Sequence, residues 1–161
     1  MHPRLHTSVR PLAVSRRWVL AAAFALLAVV SHSVGVANAG EGERFVMVVH
    51  VSNPEQSLSR VFLAEAFLKK ITQWQNGEQL RPVDQRFDAP IRSWFSETVL
   101  LRSVAAIRSY WQQRIFSGRG VPPPAVESDE AVLRYVRQHP GAVGYVSTEA
   151  DVKDVKVLGI R

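Results

Sequence analysis

Two arginines bracket a helix-start signal. Arg86 and Arg92 stand on either side of Asp88-Ala89-Pro90. Guanidinium groups placed there are suited to hold an anion through bidentate hydrogen bonds. The plainer reading is a pair of surface arginines, one of them bonded to Asp88. A second candidate is Ser117-Gly118-Arg119-Gly120, followed by Val121 and three prolines. A glycine loop can aim several backbone N–H groups at an anion, and Arg114 and Arg119 add charge. The plainer reading here is a connector forced by the prolines, which cannot continue a helix. No Gly-Lys-Ser or Gly-Lys-Thr follows, so this is not a nucleotide-binding P-loop. The candidate ligand-binding set is therefore Arg86, Asp88, Arg92, Ser117, Gly118 and Arg119.

Other chemistries find little support. From Gly40 onward the histidines are His50 and His139, with no His-x-x-x-His or His-Glu spacing, a poor basis for a metal site. The chain has no cysteine, which excludes a thiol nucleophile, a cysteine-zinc site and an iron–sulfur cluster. No G-x-S-x-G nucleophile elbow supports Ser-His-Asp catalysis. No catalytic residue and no cofactor are expected. Trp94 and Phe95 sit with Leu100, and Trp111 with Ile107 and Ile115, at helical spacing, which reads as core packing rather than a carbohydrate platform. Trp74, beside a turn, is expected to cap a sheet edge.

Short elements must position these residues. Phe45 to Val51 (FVMVVHV) reads as a strand buried on both faces, ended by Ser52-Asn53-Pro54. Ser57 or Ser59 caps a helix from about Arg60 to Lys69, with Leu58, Val61, Phe62, Ala66 and Phe67 inward and Lys69 and Lys70 at its negative end. Asn76-Gly77 marks a turn, and Leu80 to Asp84 a short strand. A helix opens at Asp88 and Pro90, with Asp88 near the cap, and runs to about Leu100. Ser103 starts another, ending near Phe116. Ser128 caps a helix from Asp129 to about Gln138. Ala142 to Ser147 and Val155 to Ile160 read as strands. Strands alternating with helices imply an α/β fold around a mainly parallel or mixed sheet.

The first 39 residues are a separate matter. Four arginines, the apolar run Trp18 to Val30 and Ala37-Asn38-Ala39 before Gly40 form a secretory signal pattern. The run is shorter than the roughly 20 apolar residues of a membrane span, so no stable span is expected after cleavage. Arg16-Arg17 leaves both the general secretory and twin-arginine routes open, and either leads to the periplasm. From Gly40 onward there are 16 Lys and Arg against 14 Asp and Glu. A balance of about +2, with no RNA or zinc-finger motif, argues against nucleic-acid binding. About 122 residues remain for one domain, 40–161, whose stability must come from an apolar core.

The ordered signals resemble a known family. Phe62-Leu63-Ala64-Glu65-Ala66-Phe67-Leu68, Lys70-Ile71-Thr72-Gln73-Trp74, Asn76-Gly77, Pro82-Val83-Asp84 and above all Pro140-Gly141-Ala142-Val143-Gly144-Tyr145-Val146 are similar to segments of phosphate ABC transporter substrate-binding proteins. The resemblance implies a single lobe of the type II periplasmic-binding-protein fold, where the family has two lobes that close on the ligand. It also implies an anion site of Ser-Gly-Thr at a helix start, where free N–H groups and the helix dipole hold phosphate oxygens. Those positions fall on Ala89, Pro90 and Ile91, and no Ser-Gly-Thr occurs in the chain. The implied function is non-catalytic recognition of phosphate or another small anion, linked to ABC transport. The alternative is an envelope accessory or regulatory module that uses the same lobe to bind a protein partner. Burial of an anion by one lobe would need such a partner or a homodimer.

Overall fold

The computed structural model describes residues 44–161; the expected signal segment, 1–39, lies outside them. Among the described residues no helix is long and apolar enough to cross a membrane.

The first strand, β1 (Phe45–Val49), puts Phe45, Met47 and Val49 on one face and Val46 and Val48 on the other. That alternation explains a run apolar at every position. It stops at Val49 because the chain turns, with the Asn53 N–H donating to the His50 carbonyl at 2.9 Å. After β2 (Ser57–Leu58) comes α1 (Arg60–Phe67), capped by Ser59, whose hydroxyl accepts from the Phe62 N–H. Leu63, Ala66 and Phe67 point inward, whereas Val61, expected inward, is exposed. Lys69 does not close the last turn. It sits beyond it at φ 49° in the place glycine usually takes, and its ammonium reaches the Pro122 carbonyl at 3.3 Å.

The expected strand Leu80 to Asp84 is two strands. β3 (Arg81–Pro82) pairs parallel to β6 (Ala142–Ser147), while β4 (Asp84–Gln85) pairs parallel to β5 (Ala125–Val126). Val83 is the transfer point: its N–H still bonds Val143, and the next N–H, from Asp84, goes to Pro124. Helices α2 (Pro90–Thr98) and α3 (Val104–Phe116) follow, and α4 (Asp129–Gln138) leads through β6 to β7 (Lys156–Ile160). Ser103 and Ser128 cap α3 and α4 as expected.

The main sheet runs β2-β7-β1-β6-β3. It is mixed rather than mainly parallel: β1 is antiparallel to both β6 and β7, and the parallel pairings are the short ones at the edges. One face packs on α1, α2 and α3 through Met47, Phe67, Phe95, Trp111 and Tyr145. The other packs on α4 through Val48, Val132, Val136 and Val146. Phe95 and Trp111 are core residues, as expected, but Trp94 is half-buried beneath the Arg44 guanidinium, 4.4 Å from its ring centroid, and Ile115 is exposed. Trp74 stacks beside Phe62 and donates its indole N–H to the Gly141 carbonyl at 2.9 Å, tying its turn to the start of β6.

Gly144 lies where β6 meets α4. A methyl group there would stand 2.6 Å from Val132 Cγ1 and 2.9 Å from Val83 Cγ1. Gly144→Ala is expected to cost about 1–3 kcal/mol through overpacking. It should appear as a lower urea midpoint at constant m-value; an unmoved midpoint would contradict this packing.

Candidate functional site

The most polar place in the interior lies beneath α2. Pro90 sets the first turn, and from there Ile91, Arg92, Phe95 and Ser96 all face inward at helical spacing. Arg92 is thereby carried into the core, 2% exposed, where its Nη1 forms an ion pair with the Asp84 carboxylate from β4. The Tyr145 hydroxyl, from β6, donates to the same carboxylate oxygen at 2.6 Å, and the Gln85 N–H donates to it at 2.9 Å. Arg92 also donates to the Gln85 carbonyl at 3.3 Å and lies over the Phe87 ring. The Gln85 side chain continues the network, donating to Asp129 at 2.7 Å and to the Tyr145 carbonyl at 3.2 Å. Asp129 in turn accepts the Ser147 N–H and hydroxyl. One chain of hydrogen bonds thus joins β4, α2, β6 and the first turn of α4.

Burial raises the Asp84 carboxyl above the usual carboxylate range, against the pull of the Arg92 guanidinium and the Tyr145 and Gln85 donors. Burial, then the Asp84 charge, pushes the Tyr145 hydroxyl far above the usual phenol range, so it stays protonated and donates. Arg92 Nε and Ser96 Oγ are buried without a hydrogen-bond partner. The group is nonetheless closed in charge, since one cation meets one anion.

This geometry redistributes the expected site residues. Arg86 and Asp88 come together as an exposed ion pair at 2.7 Å. Asp88 therefore does not cap α2: the N-cap is Ala89, which makes no side-chain cap. Arg92 is not a surface ligand but the buried partner of Asp84. Ser117, Gly118 and Arg119 lie apart from this place, at the far end of α3. There the Gly118 N–H bonds the Ile115 carbonyl and the Arg119 N–H the Arg114 carbonyl, with Gly118 at φ 66°. This is a Schellman helix end, so those two N–H groups point back into the helix rather than at an anion. Arg86, Phe87 and Asp88 share an open depression of about 450 Å³ with Arg108 and Ala125. Among the described residues no cluster of three or more His, Asp or Glu is arranged to hold a metal.

The start of α2 has few donors left. Pro90 has no N–H. The Ala89 N–H goes to Arg86 and the Arg92 N–H to Ala89.

Comparison with known proteins places the fold. No protein-family model matches the chain, and no curated protein matches it. Solved structures do. An ABC-type phosphate transport receptor from Vibrio cholerae superposes with a TM-score of 0.57 at 21% identity, over 72% of this chain and 45% of that one. A phosphate ABC transporter substrate-binding protein with bound phosphate from Clostridium perfringens gives 0.57 at 18%, over 72% and 44%. PstS from Borrelia burgdorferi gives 0.57 at 9%, over 73% and 47%. At these identities the likeness is one of fold: an α/β lobe of the periplasmic-binding-protein kind. The chain spans less than half the length of each of these structures.

The buried pair makes its own prediction. Asp84→Ala leaves the Arg92 charge unpaired in the core and is expected to cost about 3–5 kcal/mol. Asp84→Leu combined with Arg92→Met removes both charges and should recover most of that loss. Urea unfolding of both variants is the measurement, and a single mutant as stable as the parent would refute the pairing.

Proposed function

We propose that the protein is a non-catalytic recognition lobe, exported to the periplasm, and that it recognises a protein rather than free phosphate. The observation that carries this reading is the fate of Arg92: the arginine nearest the start of α2 is buried and already neutralised by Asp84. A phosphate there would meet Asp88 instead of hydroxyls, and a helix end whose first residue lacks an N–H. On one open lobe the anion would also remain in contact with water, where a charge pair at 4 Å is worth only about 1 kcal/mol. The solved relatives that take phosphate are more than twice the length of the shared segment. In this reading the fold has been kept as a scaffold, and its loops and helix faces serve as the contact surface.

The second reading is capture of phosphate or another small anion for an ABC transporter. One observation favours it: Arg86 and Arg108 line the same depression.

Thermal unfolding separates the two. A ligand that binds only the native state raises the melting temperature. With phosphate, sulfate or simple organic acids at millimolar concentration, the melting curve is expected to match that in chloride of equal ionic strength. A rise specific to one of these anions, abolished by Arg86→Gln with Arg108→Gln, would establish the anion reading and overturn the first.

A further inference from the structure

The charges of the domain are unevenly placed. From Thr98 to Val126 the chain carries four arginines, Arg102, Arg108, Arg114 and Arg119, and no acidic residue. Outside that segment the residues from Gly40 onward hold 12 Lys and Arg against 14 Asp and Glu. The segment is centred on α3, whose 13 residues make a rod about 20 Å long at 1.5 Å per residue. None of the four arginines is ion-paired within the described residues. Three lie over aromatic rings instead: Arg102 and Arg114 over Tyr110, and Arg108 over Phe87. Arg114 is further held by its bond to the Arg119 carbonyl. Guanidinium groups held this way lose less freedom when a carboxylate arrives.

The same segment holds four of the seven exposed large apolar side chains among the described residues. Phe116 is 89% exposed, Leu101 80%, Val121 61% and Ile115 50%. Ile107 and Trp111 anchor α3 in the core, and half-buried Tyr110 packs against it and donates to the Leu68 carbonyl at 3.0 Å. The helix is therefore attached along a narrow stripe, with much of its outer surface left in water.

We infer that the exposed side of α3 and the turn after it, with Arg108, Arg119 and Phe116, form the docking surface for an acidic protein partner. This rests on the protein-recognition reading above and names its face. Charge complementarity requires an anionic partner. Composition favours a protein over a lipid surface. Every basic residue in the segment is arginine, and of the four described lysines one, Lys69, reaches it, through the Pro122 carbonyl at 3.3 Å. Arginine with exposed aromatic and aliphatic anchors, and few lysines, is the pattern of protein interfaces. A membrane-surface helix needs a continuous apolar face, and between its ends α3 shows water Ala105, Ser109, Gln112 and Gln113.

The test uses two probes on the purified protein. One is a labelled random copolymer of glutamate and tyrosine, followed by fluorescence anisotropy at low and physiological salt. The other is vesicles of phosphatidylglycerol and phosphatidylcholine, followed by cosedimentation. Saturable binding to the copolymer is expected, weakened about tenfold by Arg108→Gln with Arg119→Gln and reduced again by Phe116→Ser. The matched charge loss Arg81→Gln with Arg134→Gln, at exposed positions on β3 and α4, should leave binding within about twofold of the parent. Circular dichroism confirms that each variant is folded. Failure to bind the copolymer at low salt overturns the inference, as does vesicle binding that exceeds it. Equal weakening by the two charge-loss pairs removes this face while leaving protein recognition standing. Stabilisation by phosphate, in contrast, removes protein recognition itself.

Discussion

The ion pair between Asp84 and Arg92 organises the domain. Moving two charges from water into a core costs several kcal/mol per ion, repaid only when geometry is good and the remaining donors and acceptors find partners. Here Asp84 receives Arg92, the Tyr145 hydroxyl and the Gln85 N–H. Those partners come from β4, α2 and β6, so the pair forms only when all three elements are in place. A slip of β4 by one residue would turn Asp84 to the opposite side and leave Arg92 alone in the core.

Around this pair the aromatic core closes. Phe95 stacks on the Tyr145 ring with centroids 4.0 Å apart and planes within 7°, and Phe67 lies at 4.6 Å from Phe95. The Tyr145 side chain thus serves both parts, its ring in the apolar layer and its hydroxyl in the polar one. The physical consequence reaches the surface. Arg92 is drawn inward and Asp88 is held by Arg86, while the fold around the start of α2 resembles that of phosphate receptors. The four arginines of α3 and its flanking turns, in contrast, have no ion-pair partner among the described residues.

Much of the architecture was legible in the chain. Ser103 and Ser128 announced α3 and α4 because a hydroxyl that accepts a first-turn N–H is a local device, readable over four residues. The apolar run from Phe45 and the Pro-Gly turn before Ala142 marked the central strands for the same reason, and the order of the pieces carried the likeness to phosphate-binding proteins. The site was less legible. Asp84 stood at the end of an apolar strand signal, and Arg92 and Ser96 share helical spacing with the core residues Ile91 and Phe95. A carboxylate and an arginine both assigned inward faces demand each other, and that signal was present eight residues apart. Arg86, Asp88 and Arg92 looked like one exposed group because their nearness in sequence hides the half-turn of helix that sends Arg92 to the other side.

The sequence by itself determined the helices, the serine caps of α3 and α4, the central strands and the absence of thiol chemistry, because each depends on neighbours within a turn or a strand. Only the tertiary structure decided that Leu80 to Asp84 divides between two sheets, that the long strand pairings are antiparallel, and that Arg92 is neutralised while the arginines of α3 are not. Those outcomes depend on which residues, distant along the chain, arrive at one place, and desolvation makes that meeting decisive: the same arginine is a ligand in water and a structural ion in the core.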